Sequence, residues 1–387
     1  MKRTVYNGAD RLAAADKLLR GRRLGLITNP TGVRRDLVST IDVLHEQYCL
    51  TALYSPEHGV RGDAQGGVMI PDGPDPLTGV MNHSLYGTTR RLTPAMVKDV
   101  DVIVVDIQDV GARFYTYLYT MAYAMEACKA MGLPMVLLDR IDPIGGVKVE
   151  GTRIEENCRS FAGDYALPAR TGVTLGEMAR YLAGTRPGQF GCELTVVPVE
   201  GWTRDTYADE TDLSWVIPSP NLPTIDQAEI YIGTCPLEGT NVSEGRGTTT
   251  PYMTVGAPWM DGHAVAEAMN ARHLPGVRFR AGCFTPTSRK YAGQTCYSVT
   301  QHLTDRRAYR SFETGLLLIE TIRALHPGDF TFNEAVDAEG ITRYRFDELL
   351  GTDAFRTGRM TAEEILRSCA PGVAAYREEM RPYLLYE

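Results

Sequence analysis

Paired cysteines, a surplus of basic residues and a long apolar run are all missing from this 387-residue chain, and each absence removes a class of protein. The eight cysteines (Cys49, Cys128, Cys158, Cys192, Cys235, Cys283, Cys296, Cys369) stand singly with no C-x-x-C pair, which argues against a zinc ribbon or a dithiol redox centre. Cys49 and Cys128 fall in apolar or helical patterns and read as buried free thiols. Net charge is −8, the wrong sign for tracking a nucleic-acid backbone, which needs clustered Lys and Arg. No stretch of about 18 apolar residues occurs, so no membrane-spanning helix is expected. Met1-Lys2-Arg3-Thr4 turns polar at once, unlike a signal peptide or an anchor, and this points to a cytoplasmic location. No G-x-G-x-x-G follows the first strand pattern, and the Gly-rich run at residues 59–67 lacks a Gly-Lys-Ser/Thr end. Neither a dinucleotide cofactor nor a nucleoside triphosphate is therefore expected, and no metal.

What is present is ordinary globular material, 43% hydrophobic and 23% charged, in a length that suits two domains. Leu24–Thr28, Leu50–Tyr54, Val102–Asp106 and Met135–Asp139 are near-continuous apolar runs, as a parallel sheet covered on both faces requires. Helical patterns lie between and around them at Ala13–Leu19, Leu37–Tyr48 and Thr116–Met131. A fifth strand is expected at Leu194–Val199, after a helix Thr174–Ala183 that opens on a capping box of Thr174 and Glu177. This alternation predicts a Rossmann-like, doubly wound α/β domain over residues 1–234. From residue 235 to 387 the pattern changes, with Gly and Thr concentrated in Gly239–Thr250. Strands near Val277–Ala281 and Thr295–Leu303 follow, with helices Tyr309–Leu325 and Thr361–Cys369, which reads as a smaller α+β domain.

Each predicted strand ends in a polar cluster: Thr28-Asn29-Pro30, Ser55-Pro56-Glu57-His58, Asp106-Ile107-Gln108-Asp109 and Asp139-Arg140. Ligands of open α/β sheets bind outside the carboxyl ends of the strands, so these clusters are expected to converge on one rim. There Pro56 holds Ser55 extended and Gly59 permits a sharp turn, presenting Glu57 beside His58. A carboxylate next to an imidazole at a crevice has the make-up of a general acid or base; the alternative is a loop glutamate that accepts backbone amides. Arg61, in the Gly-rich run that follows, could hold an anion. In Asp106–Tyr117, Asp106, Gln108, Arg113 and Tyr115 offer hydroxyl-matching polar groups beside aromatic faces, a combination suited to sugar rings. The competing reading makes the aromatics helix core and pairs Arg113 with Asp106 or Asp109. Glu238–Thr249 contains Glu238, Asn241, Glu244 and Arg246 among small residues. Ordering so polar a segment costs entropy that few apolar contacts offset, which favours a loop built round a polar ligand over a linker. The Pro-stiffened Trp215–Thr224, which holds Asn221, either walls the cleft with Trp215 or packs it on the sheet.

Taken together, Gly25–Gly32, Ser55–Gly59, Ser84-Leu85-Tyr86-Gly87, Asp106–Tyr117, Pro143–Gly146, Ser219–Thr224, Glu238–Thr249, Phe284–Thr287 and Phe346–Gly351 resemble the bacterial exo-β-N-acetylmuramidases of the NamZ type. The resemblance runs in order through nearly the whole chain. It implies a Rossmann-like domain and a smaller C-terminal domain with a cleft between them. It also implies release of N-acetylmuramic acid from the non-reducing end of peptidoglycan fragments, with the catalytic glutamate at Glu57. His58 is expected to tune Glu57, and one of Arg61, Arg113 or Arg246 to hold the lactyl carboxylate. Asp106, Asp109, Glu238 and Glu244 are the candidates for a second carboxylate; the alternative is assistance by the substrate's own acetamido group. Thr171 stands where the resemblance leads one to expect a histidine, which gives some weight to a rival reading as a non-catalytic muropeptide-binding or sensing protein. Against a second rival, a Rossmann-type hydrolase or an NAD-dependent glycosidase, stands the missing dinucleotide signature.

Overall fold

The structure, a computed structural model, describes residues 2–62, 69, 71–337 and 340–387. The core of the larger sheet is built by the apolar runs read from the sequence: β1 (Arg23–Thr28), β2 (Cys49–Ser55), β5 (Val102–Asp106), β6 (Met135–Leu138) and β7 (Leu194–Val197). Two short strands, β3 (Gly73–Pro74) and β4 (Met81–Ser84), extend it at one edge. The order is β3-β4-β2-β1-β5-β6-β7, parallel except for the antiparallel β3 at the edge. Leaving β3 aside, the six parallel strands run 3-2-1-4-5-6, the Rossmann order, with the reversal between β1 and β5.

Strand alternation sends successive side chains to opposite faces of this sheet. Val102 and Val104 of β5 join Leu24 and Leu26 of β1 in one buried cluster; Ile103 and Val105 join Ile27 in the other. The first face is covered by the 3₁₀ segment Gly8–Ala15, α1 (Asp16–Leu19) and α2 (Thr40–Gln47). Ala13–Leu19 is thus only in part α-helical. The opposite face carries α3 (Tyr117–Met131), which ends at Gly132 with φ 68°, and α4 (Leu175–Thr185), followed by the short α5 (Pro187–Phe190). Helix α4 has the capping box read at Thr174 and Glu177. Cys128 is buried as expected, but Cys49 is exposed: it opens β2 opposite Arg23, the exposed first residue of β1.

Next come α6 (Ile225–Thr234), β8 (Thr254–Ala257), α7 (Gly262–Ala271), β9 (Val277–Phe284), β10 (Cys296–Leu303) and α8 (Ser311–Leu325). Strands β8, β10 and β9 form a second, antiparallel sheet. Helices α6 and α8 cross almost backbone to backbone: a Cβ on Gly233 would meet the Ser311 carbonyl at 2.1 Å, and one on Gly315 the Gly233 carbonyl at 2.1 Å. A hairpin of β11 (Glu334–Val336) and β12 (Thr342–Tyr344) leads into α9 (Arg345–Leu350), and α10 (Ala362–Met380) continues through Pro371 well beyond the Thr361–Cys369 expected. No helix of the described residues is long and apolar enough to cross a membrane.

Candidate active site

A cavity of ≈ 410 Å³ opens at the carboxyl ends of β2, β4 and β5, closed on its other side by α6, the 3₁₀ turn Cys235–Gly239 and α9. Glu57 and His58 enter it just past β2, in a turn that takes two successive residues into the left-handed region, His58 at φ 79° and Gly59 at φ 80°. That geometry is uncommon for a side chain with a Cβ, so the fold holds His58 there against its local preference. Glu57 is partly buried. Its Oε2 accepts a hydrogen bond from the Thr116 hydroxyl at 3.3 Å, and its carbonyl accepts one from the Tyr117 hydroxyl at 3.2 Å. Burial, then the charge of Glu57 and a hydrogen bond with it, push the Tyr86 hydroxyl up to about 12. Two hydroxyls, one after β4 and one at the head of α3, therefore fix the Glu57 carboxyl.

Across the cavity lies a second polar group. Arg246 Nη2 donates to Glu238 Oε1 at 2.6 Å, and the Tyr252 hydroxyl donates to the same oxygen at 2.7 Å. Burial acts to raise the Glu238 carboxyl, but Arg246, Arg345 and the Tyr252 hydroxyl outweigh it and hold it below its ordinary value. Glu238 is thus anionic at neutral pH. Phe114, Tyr115, Tyr231 and Tyr252 form the aromatic wall, packed edge to face at centroid distances of 5.1 Å for Phe114–Tyr231 and 4.7 Å for Tyr231–Tyr252.

Of the residues singled out in the sequence, Glu57, His58, Tyr115, Asn221, Glu238 and Arg246 line this cavity. The others are held elsewhere by their own partners. Arg61 forks onto Asp75 at 2.9 and 3.0 Å and reaches Asp42 at 3.0 Å, lowering the Asp75 carboxyl to about 2. Arg113 is fully buried and donates to the carbonyls of Thr152, Leu167 and Leu349, not to an acid. Asp106 is fully buried under Arg140, at 2.6 and 3.0 Å, and Thr40. Gln108 donates to the Asp109 and Ile141 carbonyls, and Asn29 accepts from Thr31. Asn241 pins the Asp329–Thr331 backbone, and buried Glu244 pairs with Lys290 at 3.0 Å. The four strand-end clusters hence do not share one rim: Glu57 faces the cavity while Asp106 and Arg140 lock onto each other. Asp63 to Gly67 of the Gly-rich run lie outside the described residues. Trp215 does not wall this cavity; Ser219, Asn221 and Leu222 from the same stretch do. Thr171 is also off it, buried with its backbone N–H donating to the Gly111 carbonyl.

Tyr86, Arg90, Thr116, Arg289, Arg345 and Glu348 also line the cavity, and the sequence did not mark them one by one. For Tyr86, Thr116 and Glu348 the signal was there, since all three fall inside stretches that carry the family resemblance. Arg345 pairs with Glu348 at 3.1 Å, and Arg90 lies 3.6 Å from the centroid of the Phe161 ring. The cavity thus joins acids with arginines and aromatic faces, a set able to take an anionic sugar and to move a proton.

Asp109, off the cavity lining, is buried with its Oδ2 accepting from the Gly111 amide. Burial pushes its carboxyl up to about 8 against that hydrogen bond, and neighbouring Asp142 adds to the rise; burial likewise raises Asp142, to about 7. Folded-state values above the ordinary unfolded value of about 3.9 mean the folded protein keeps protons that the unfolded chain releases. The stability they contribute is fully present below that value and is lost as pH rises through about 7 and 8. Unfolding midpoints in urea should therefore fall across this window, and the D109N/D142N variant should show a flatter profile. An unchanged slope would reassign the loss to other groups.

Two family models match the chain, Exo-beta-N-acetylmuramidase NamZ, N-terminal, over residues 24–226, and Exo-beta-N-acetylmuramidase NamZ, C-terminal, over residues 229–386. The peptidoglycan beta-N-acetylmuramidase NamZ of Bacillus subtilis (strain 168) is 44% identical over 391 aligned residues, covering 100% of this chain and 92% of that protein. Two crystal structures of DUF1343 family proteins from Bacteroides fragilis NCTC 9343 are also similar. One has a TM-score of 0.88 at 35% identity over 100% of both chains, the other 0.77 at 30% over 99% of both.

Proposed function

Because the chain belongs to the exo-β-N-acetylmuramidase NamZ family, we propose that Glu57 is the proton donor of an exo-acting glycosidase that releases N-acetylmuramic acid from the non-reducing end of peptidoglycan fragments. The observation that carries this reading is a carboxyl held by the Thr116 and Tyr86 hydroxyls at a cavity that also holds Glu238. Glycoside cleavage needs a carboxylic acid to protonate the leaving oxygen and, in most families, a carboxylate to act on the anomeric centre directly or through water. Glu57 serves as the acid. Glu238, kept ionised by Arg246 and Arg345, is the best-placed second carboxylate among the residues named from sequence. Asp106, Asp109 and Glu244 do not line the cavity. The lactyl carboxylate is assigned to the cavity arginines, Arg246 among them, and the sugar ring to the Tyr115 and Tyr231 wall.

The rival reading as a non-catalytic sensor drew its weight from Thr171, and that residue lies away from the cavity. Incubation with a disaccharide carrying N-acetylmuramic acid at its non-reducing end tests the proposal directly, with NMR reading the sugar and its first-formed anomer. Free N-acetylmuramic acid is the expected product. Retention of the β-anomer would mean double displacement, with Glu238 or the substrate's own acetamido oxygen as nucleophile, and inversion would make Glu238 the base for water. A rise in melting temperature with no sugar released would instead support the sensor.

A further inference from the structure

In a sheet of Rossmann order the ligand crevice lies where the strand order reverses, here between β1 and β5. The catalytic cavity takes Glu57 from β2, to one side of that point. A second cavity of ≈ 150 Å³ sits at the reversal, with Thr31 following β1, Gln108 following β5 and Arg140 following β6. Gln108 and Arg140 belong to strand-end clusters that the glycosidase reaction does not use.

The lining carries Lys2, Arg34, Arg35 and Arg140 against one carboxylate, Asp209, which Arg306 already holds at 2.7 and 2.8 Å. Arg140 is fixed by its Nε and Nη2 on Asp106 and the Val33 carbonyl. Arg35 is oriented by one terminal nitrogen on Asp212 with its guanidinium 4.6 Å from the Tyr6 ring, and Arg34 by one terminal nitrogen on Asp36. Each fork keeps further N–H groups for an anion. Trp215 contributes a flat apolar face. The side-chain amide of Asn7 completes a lining that matches hydroxyls as well as charge.

We propose that this cavity binds a monosaccharide-sized anion, a sugar phosphate or a sugar acid, at a site separate from the Glu57 cavity. The cations hold the charged group and Trp215 packs against the ring. Calorimetric titration at fixed ionic strength with glucose 6-phosphate, gluconate and uncharged glucose tests it. At least one charged sugar should bind and glucose should not, the better of the two telling phosphate from carboxylate. K2A/R34A should weaken binding at least tenfold and leave hydrolysis without added ligand unchanged, because neither residue lines the catalytic cavity. W215A, which removes the aromatic face, should weaken it several-fold. E57Q should bind as wild type does, so the result does not depend on the catalytic role given to Glu57. Failure of both charged sugars to bind wild-type protein, or equal binding by wild type, K2A/R34A and W215A, overturns the proposal.

Discussion

Glu57→Gln should lower kcat on a muramide with a poor leaving group by about 10²- to 10⁴-fold while leaving the fold intact, the range that a positioned general acid supplies. Gln keeps the length and shape of the side chain and can still accept from the Thr116 hydroxyl, so substrate affinity should change little. What it cannot do is deliver a proton to the departing oxygen. The loss should therefore shrink with a dinitrophenyl aglycone, which leaves without protonation. A nucleophile would behave differently, because its removal slows cleavage whatever the leaving group. Comparing the two substrates in E57Q thus separates acid from nucleophile. Equal losses would move Glu57 to the nucleophile's place, and undiminished activity would remove it from the reaction.

The largest effect on stability is expected at Arg170. Its guanidinium is fully buried, with Nη1 3.0 Å from Glu150 and 3.1 Å from Glu229, and Nη2 on the Ile144 carbonyl. Burial raises the Glu229 carboxyl while Arg170 and Lys148 pull it back. Arg170→Met fills similar volume but leaves two acids facing each other with less positive charge between them. Breaking a buried pair from one side costs about 3–5 kcal/mol, because the stranded charge stays out of water. Urea unfolding at pH 7 should show a loss of that order, and the loss should narrow at lower pH as Glu229 takes up a proton. A loss below about 1 kcal/mol would mean that Lys148 and Arg306, 3.4 and 3.5 Å from Glu229, compensate by themselves.

The main sheet was legible because parallel strands covered on both faces need unbroken apolar runs, and β1, β2, β5 and β6 are such runs. Strand β4, Met81–Ser84, was not, since a short edge strand with Asn82 and His83 carries little of that signal. Helix α7 was hidden for another reason: it is a short Ala-rich stretch whose N-cap, Asp261, is a common loop residue. In the site, Glu57 could be read because proline and glycine around it announce a presented turn. Asp106 and Arg113 looked like ligands because composition at a strand end does not reveal which way a side chain turns. Asp106 turns onto Arg140, and Arg113 turns away from the cavity onto backbone carbonyls. Arg345 and Arg289 come from segments far along the chain, where nothing local distinguishes them from surface arginines.

Arg113 also bears on how members of this family can be recombined. It stands in the loop after β5, and its guanidinium ends on the carbonyl of Leu349 in α9, the helix that brings Arg345 and Glu348 to the cavity. A hybrid taking residues 1–226 from one member and the remainder from another would separate that arginine from the helix turn it grips. Such a hybrid would keep its cavity only where both parents place this carbonyl alike, so the loop and α9 are best inherited as one interlocking unit.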